Sequence, residues 1–97
     1  MSKLEVFWSE SAKLDLKDIY LYLKERYSKE TALNIRKELY DCTDAIVFPE
    51  QFQLDEYRLD CRRIVVGNYK VLYQIGESSI LIVRIFSTFQ NPLKSLK

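Results

Sequence analysis

Four basic residues lie in the most apolar part of the sequence. They are Arg62, Arg63, Lys70 and Arg84, within the stretch CRRIVVGNYKVLYQIGESSILIVRIF at residues 61–86. Cationic side chains stabilise the negative charge of a phosphate, and neighbouring aromatic rings can stack on flat groups. On one surface, these residues would suit an anionic partner with flat or apolar groups, either a nucleic acid or an acidic peptide. The alternative is that they are separate charges that keep an exposed sheet soluble.

Charge is distributed unevenly along the 97 residues. The formal net charge is only +1, but residues 1–60 hold nine Lys and Arg against thirteen Asp and Glu, whereas residues 61–97 hold six against one. The sequence therefore predicts a protein with an acidic N-terminal part and a basic C-terminal part. A basic surface of this kind attracts anionic partners.

The chain contains no histidine. This excludes Ser-His-Asp and Cys-His catalysis, the zinc-binding HExxH motif and imidazole acid–base pairs, so any catalysis must use Lys, Arg, Tyr, Asp or Glu. Cys42 and Cys61 are isolated in the sequence, and we interpret them as reduced thiols. We expect no metal site and no cofactor.

Length and hydropathy indicate one domain over residues 1–97. A chain of this size can build one core but not two. No apolar run approaches the roughly 20 residues of a membrane span, and the N-terminus MSKLEVFWSE lacks the pattern of a signal peptide. We expect a cytoplasmic protein that does not contact a membrane.

The N-terminal half predicts a strand followed by two helices. Residues 3–8 alternate as a strand does, and Ser9 can cap a helix whose apolar stripe is Ala12, Leu16, Ile19 and Leu23. Ser28 can cap a second helix over residues 29–48, with the stripe Ala32, Ile35, Leu39, Cys42 and Ile46. The short break between them predicts an antiparallel helical hairpin, and residues 49–60 read as a polar, acidic connection.

Three strands are predicted after this connection, at about residues 61–66, 69–75 and 80–86. Gly67-Asn68 is typical of a two-residue hairpin turn, because both residues tolerate positive φ. The predicted fold class is α+β, with an N-terminal strand, a helical hairpin and a three-strand antiparallel meander (βααβββ). The helices can then cover only one face of the sheet.

The two-residue turn also fixes which side chains share a face. It pairs Val66 with Tyr69 and places the following residues toward the helices: Ile64, Val66, Tyr69, Val71, Tyr73 and Ile75. The opposite, open face then carries Arg63, Val65, Lys70, Leu72 and Gln74. Arg62 falls on the core side at the start of its strand, from which its long side chain can reach outward.

Arg84 determines the expected orientation of the last strand. An unpaired guanidinium in the core would be costly, so we expect Leu81, Val83 and Ile85 to point inward. Arg84 would then join Arg63 and Lys70 on the open face, with Ile80, Ile82 and Phe86 on or beside that face.

Nearly the whole chain resembles the RelE/ParE superfamily of toxins from bacterial type II toxin–antitoxin modules. The residues that carry the resemblance are the SAKLDLKDIYLYL helix, the second helix running into FP, and the segments RRIVVGNYKVLYQI and ILIVRIF. The resemblance implies the fold described above, a growth-inhibiting activity, a role in plasmid stabilization and neutralisation by an antitoxin.

The resemblance suggests two cellular targets. RelE-like members cleave translated mRNA at the ribosome, which would make Arg63, Lys70 and Arg84 the candidate catalytic residues of a metal-independent endoribonuclease; this is our first hypothesis. The alternatives are a ParE-like, non-enzymatic inhibitor of DNA gyrase and an inactive binding domain of the same fold. Candidate residues for binding nucleic acid or the antitoxin are Arg62, Gln74, Gln90 and Lys94, although Gln90 stands near a position where ribonuclease members have a cation.

Overall fold

The computed structural model describes residues 4–46 and 49–87, and it has the predicted order of elements. Strand β1 (Glu5–Trp8) precedes helices α1 (Glu10–Arg26) and α2 (Lys29–Asp41), and strands β2 (Arg62–Val66), β3 (Tyr69–Ile75) and β4 (Ser79–Ser87) follow. The strands form one sheet in the order β1-β4-β3-β2, with β1 parallel to β4 and the other pairs antiparallel. The α+β prediction is therefore confirmed.

Both helices begin at the predicted serine caps. The Ser9 side chain accepts a hydrogen bond from the Ala12 N–H, and the Ser28 side chain accepts one from the Thr31 N–H. The second helix is shorter than predicted, because it ends at Asp41 and continues as a 3₁₀ turn over Cys42–Ala45. The predicted stop at Phe48 lies outside the described residues.

The main core lies between the helical hairpin and one face of the sheet. Its buried side chains come from both helices, from the residue after the 3₁₀ turn and from strands β2, β3 and β4. They are Ala12, Leu39, Ile46, Ile64, Val71, Tyr73, Ile80, Ile82 and Ile85. Leu16, Ile19 and Ile35 pack against this cluster but are only partly buried. Ile75, which we predicted in the core, is 42% exposed because it lies at the end of β3.

The hairpin between β2 and β3 has the predicted register. Val66 pairs with Tyr69, Val65 with Lys70, Ile64 with Val71 and Arg63 with Leu72. Gly67 adopts a φ of 57°, a left-handed conformation that glycine reaches without strain. Turn chemistry alone was therefore sufficient to assign these side chains to faces.

A β-bulge in β4 overturns part of the predicted orientation. Leu72 pairs with Arg84 and Tyr73 pairs with Ile82, so Val83 is an extra residue that breaks the alternation. As a result Ile80 and Ile82 are fully buried in the main core, whereas Leu81 is 38% exposed and Val83 packs on the opposite face. The inward orientation predicted for Ile85 and the exclusion of Arg84 from the core are confirmed.

The face of the sheet away from the helices, here called the second face, has a small core of its own. Leu72, Phe86 and Cys61 are buried there, with Val83 packed against them. Residues 52–61 are here called the connecting loop, and its Asp55, Tyr57 and Asp60 cover this part of the face through contacts with Lys70 and Gln74. The sequence had suggested that the second face is open, but part of this face is covered.

Replacement of Leu39 with alanine tests the position of the main core. Leu39 has no exposed surface, so Leu39→Ala should lower the free energy of unfolding by about 2–5 kcal/mol through lost burial and a residual cavity. Leu14 is 58% exposed, and Leu14→Ala should change stability by no more than about 0.5 kcal/mol. Urea denaturation measures both, and equal effects would contradict this core.

Candidate functional site

Lys70 lies on the second face, as predicted, but its charge is already bound within the protein. Its Nζ atom is 2.8 Å from Asp55 Oδ1, and the two side chains are only 14% and 1% exposed. The Tyr57 ring lies beside the same ammonium group, with its centroid 5.3 Å from Nζ. A substrate phosphate could use the Lys70 charge only after this buried pair had separated.

Asp55 also organises the connecting loop. Its Oδ2 atom accepts hydrogen bonds from the backbone N–H groups of Tyr57 and Arg58, while its own N–H donates to the Cys61 carbonyl. One carboxylate thus folds the loop on itself and attaches it to Lys70 of β3. This explains how a strongly polar segment can lie over a sheet face.

Arg84 pairs with an acidic residue of the first helix. Its guanidinium donates to both carboxylate oxygens of Asp15, at 2.7 and 3.1 Å, and lies 5.0 Å from the centroid of the Phe86 ring. Asp15 also accepts the backbone N–H of Ile85 at 3.0 Å. Arg84 therefore shares a face with Leu72 and Phe86 but anchors α1 to β4 instead of forming a cluster of free cations with Arg63 and Lys70.

The two adjacent arginines of β2 hold the start of the connecting loop. Arg62 donates to the Phe52 carbonyl at 2.7 Å, and Arg63 donates to the Leu54 carbonyl at 2.8 Å. The Arg63 backbone N–H donates to the Gln53 carbonyl, so the loop also covers part of the outer edge of β2. Arg62 pairs with Tyr73 on the core side, as predicted.

Gln74 lies on the second face and binds the loop as well. Its Nε2 atom donates to Asp60, whose carboxylate also accepts two hydrogen bonds from Arg58. These contacts, the Arg58 pair first, lower the pKa of Asp60. Gln90 and Lys94, the other predicted binding residues, lie outside the described residues.

The two thiols of Cys42 and Cys61 are free, as predicted. Burial raises the pKa of Cys42 to about 11, and burial also raises the pKa of Cys61. Both shifts disfavour the thiolate that a nucleophilic cysteine requires. In the described part of the chain, no group of three or more Cys, Asp or Glu side chains is placed to hold a metal ion.

A groove of about 910 Å³ lies between the helical hairpin, the start of β3 and the end of β4. Aromatic side chains line much of it, namely Tyr22, Tyr27, Tyr69 and Phe86. Tyr22 and Tyr27 are 54% and 68% exposed, and the acidic side chains of Asp15 and Asp18 lie along its wall. Its size and apolar lining suit an amphipathic segment of another protein.

Sequence similarity assigns this fold to a family. Residues 6–92 match the family described as the ParE toxin of the type II toxin-antitoxin system parDE. The chain belongs to the ParE toxin family. Toxin ParE1 of Caulobacter vibrioides is 33% identical over 85 residues, which cover 86% of this chain and 88% of that protein. The protein is thus a ParE-like toxin of a type II toxin–antitoxin system.

Solved structures of related toxins have the same fold. The chromosomal ParDE system from P. aeruginosa contains a chain with a TM-score of 0.76 at 17% identity, covering 87% of this ParE-family chain and 95% of that one. The isolated RelE toxin of E. coli has a TM-score of 0.52 at 11% identity, with 95% and 92% covered. Within residues 4–46 and 49–87, neither helix is long and apolar enough to cross a bilayer.

The sequence interpretation missed Asp15 and Asp55. The signal for them was the charge imbalance between the two parts of the chain, which we interpreted as a free basic surface. Folding instead brings these two carboxylates onto Arg84 and Lys70.

Replacement of Lys70 tests whether its charge is structural. Lys70→Met leaves the Asp55 carboxylate buried without its cation, and should lower the free energy of unfolding by roughly 3 kcal/mol, the lower end for a broken buried pair. Lys17→Met, at an exposed helical site, should have little effect. In urea denaturation, the added change Asp55→Asn should restore part of the loss. Similar stability of the Lys70 and Lys17 variants would contradict a structural role.

Proposed function

We propose that this ParE-family toxin arrests growth by binding and inhibiting DNA gyrase, without catalysis of its own. The observation that carries the proposal is that Arg63, Lys70 and Arg84 are each bound by groups of the protein itself. The match of residues 6–92 to the ParE toxin family supports the same target, since gyrase inhibition is what the resemblance to ParE-like members implies.

The ribonuclease hypothesis has less support from the site. Cleavage that uses the RNA 2′-hydroxyl needs a group that accepts a proton and positive charge directed at the phosphate. The Lys70 ammonium pairs with Asp55, and the Arg84 guanidinium pairs with Asp15, so a carboxylate already offsets each charge before any phosphate binds. Burial raises the pKa values of Tyr69 and Tyr73, which disfavours the phenolate form that could act as a base.

We also propose that a cognate antitoxin neutralises the toxin by filling the groove beside the helical hairpin. The exposed rings of Tyr22 and Tyr27 offer anchoring surface for the apolar face of an antitoxin helix. The acidic Asp18 on the same wall would favour a basic residue in the bound segment.

The two target hypotheses predict different biochemical results. The purified toxin should inhibit supercoiling of plasmid DNA by gyrase, and primer extension on translated mRNA should show no cuts within codons. Inducing the gene alone should arrest growth, and inducing it together with the adjacent antitoxin reading frame should not. Cuts within codons together with normal supercoiling would refute gyrase as the target and support the ribonuclease hypothesis.

The groove can be tested with the antitoxin encoded by the neighbouring reading frame. The double change Tyr22→Ala and Tyr27→Ala should weaken antitoxin binding at least about tenfold in titration calorimetry, because exposed aromatic anchors dominate such interfaces. Leu14→Ala with Leu21→Ala alters similarly exposed residues outside the groove and serves as the control. Equal affinities of both variants would place the antitoxin elsewhere.

A further inference from the structure

Two large apolar side chains lie side by side on the uncovered part of the second face. Phe7 of β1 and Leu81 of β4 are register partners, and adjacent strands are about 4.8 Å apart. Phe7 is 53% exposed and Leu81 is 38% exposed. Val6 and Trp8, which alternate with Phe7, pack against the main core, so Phe7 points away from the helices.

The described residues leave this pair uncovered. The helices pack on the opposite face, and the connecting loop covers the second face near Leu72 and Phe86. Gln74, the register partner of Leu81, holds Asp60 of the loop, so the loop meets the pair at its border. Contiguous exposed apolar side chains, unlike single scattered ones, mark candidate contact surfaces, and Phe7 and Leu81 are contiguous.

The surroundings of this pair are polar, with an exposed carboxylate on one border. Glu5 lies two residues before Phe7, is exposed and points to the same face by strand alternation. On the other border, Arg58 pairs with the 55% exposed Asp60 side chain, so the net negative charge beside the pair comes from Glu5. Within the described residues, the cations of the second face are bound to Asp55, Asp15 and loop carbonyls. The exposed Glu5 carboxylate repels a nucleic acid and favours a protein surface that presents apolar groups next to Lys or Arg.

We propose that Glu5, Phe7, Gln74 and Leu81, here called the Phe7 patch, form the surface by which the toxin holds its protein target. This rests on the proposed function and names the contact that gyrase inhibition would use. The target contributes an apolar anchor against Phe7 and Leu81 and a basic side chain opposite Glu5. The groove beside the helices stays separate and takes the antitoxin.

The double change Phe7→Thr and Leu81→Thr removes the apolar contact and keeps residues that suit strands. It should raise the toxin concentration for half-inhibition of gyrase supercoiling at least about tenfold, as expected when a central apolar anchor is removed. Thermal unfolding and antitoxin affinity should stay close to those of the wild type. The control, Leu14→Gln with Leu21→Gln, changes leucines of comparable exposure on α1 and should inhibit normally.

The single change Glu5→Lys tests the charge at the border and leaves both apolar side chains in place. It should weaken inhibition, because it places a cation opposite the basic group of the target. Stronger inhibition by Glu5→Lys would indicate a nucleic-acid contact and would overturn the proposal. If the double variant fails to fold, the effect of Glu5→Lys on gyrase inhibition still tests the proposal.

Two further results would overturn the patch assignment. One is a double variant that inhibits gyrase as well as the wild type does. The other is a double variant with a clearly lower melting temperature and normal inhibition, which would mean that part of the chain itself covers the pair. Wild-type toxin that leaves supercoiling unchanged would overturn the proposed function instead. Full growth arrest by the double variant would then overturn the patch as well, and loss of growth arrest would support it.

Discussion

The attachment of residues 9–15 to the bulged part of β4 holds the two halves of this toxin together. Strand β1 pairs with β4 only up to Ile82, and the Ser9 N–H then donates to the Ile82 carbonyl. The Ser9 hydroxyl donates to the carbonyl of Val83, the extra residue of the bulge, and Asp15 binds Arg84 and the Ile85 N–H. These bonds satisfy backbone groups that the end of β1 would otherwise leave unpaired, and they place α1 across the sheet.

The bulge also explains why the chain can keep an arginine in its most apolar strand. An unbroken alternation through Ile80, Ile82, Arg84 and Phe86 would put the guanidinium on the same face as two core isoleucines. The extra residue Val83 shifts the alternation, so Ile80, Ile82 and Ile85 all face the main core while Arg84 reaches Asp15 at the edge. A local break in strand regularity thus avoids the cost of a buried unpaired charge.

Local signals in the sequence were sufficient for the order of elements, both helix caps and the β2–β3 register. Ser9, Ser28 and Gly67-Asn68 act within a few residues, so their consequences can be predicted from the sequence alone. The orientation of β4 and the parallel placement of β1 depend on distant parts of the chain. The Asp15–Arg84 contact spans 69 positions, and its only trace in the sequence was the charge imbalance, which is equally compatible with a free basic surface. Phe7 was not recognised as a candidate contact residue, because its position beside Leu81 depends on the parallel placement of β1.

Pairing between the acidic and basic parts changes what the second face of the sheet can recognise. Coulombic attraction to a phosphate requires cations that water and substrate can reach, and here Lys70 is 14% exposed against a carboxylate that is 1% exposed. With Lys70 and Arg84 paired inside the fold, the recognition surface that we propose on this face is the Phe7 patch, an apolar pair beside the Glu5 carboxylate. Such a surface gains binding energy by excluding water from a complementary protein surface, and it selects that surface by charge at the rim. This recognition requires no catalytic group, so the proposed inhibition by binding alone is compatible with a fold that the chain shares with RelE.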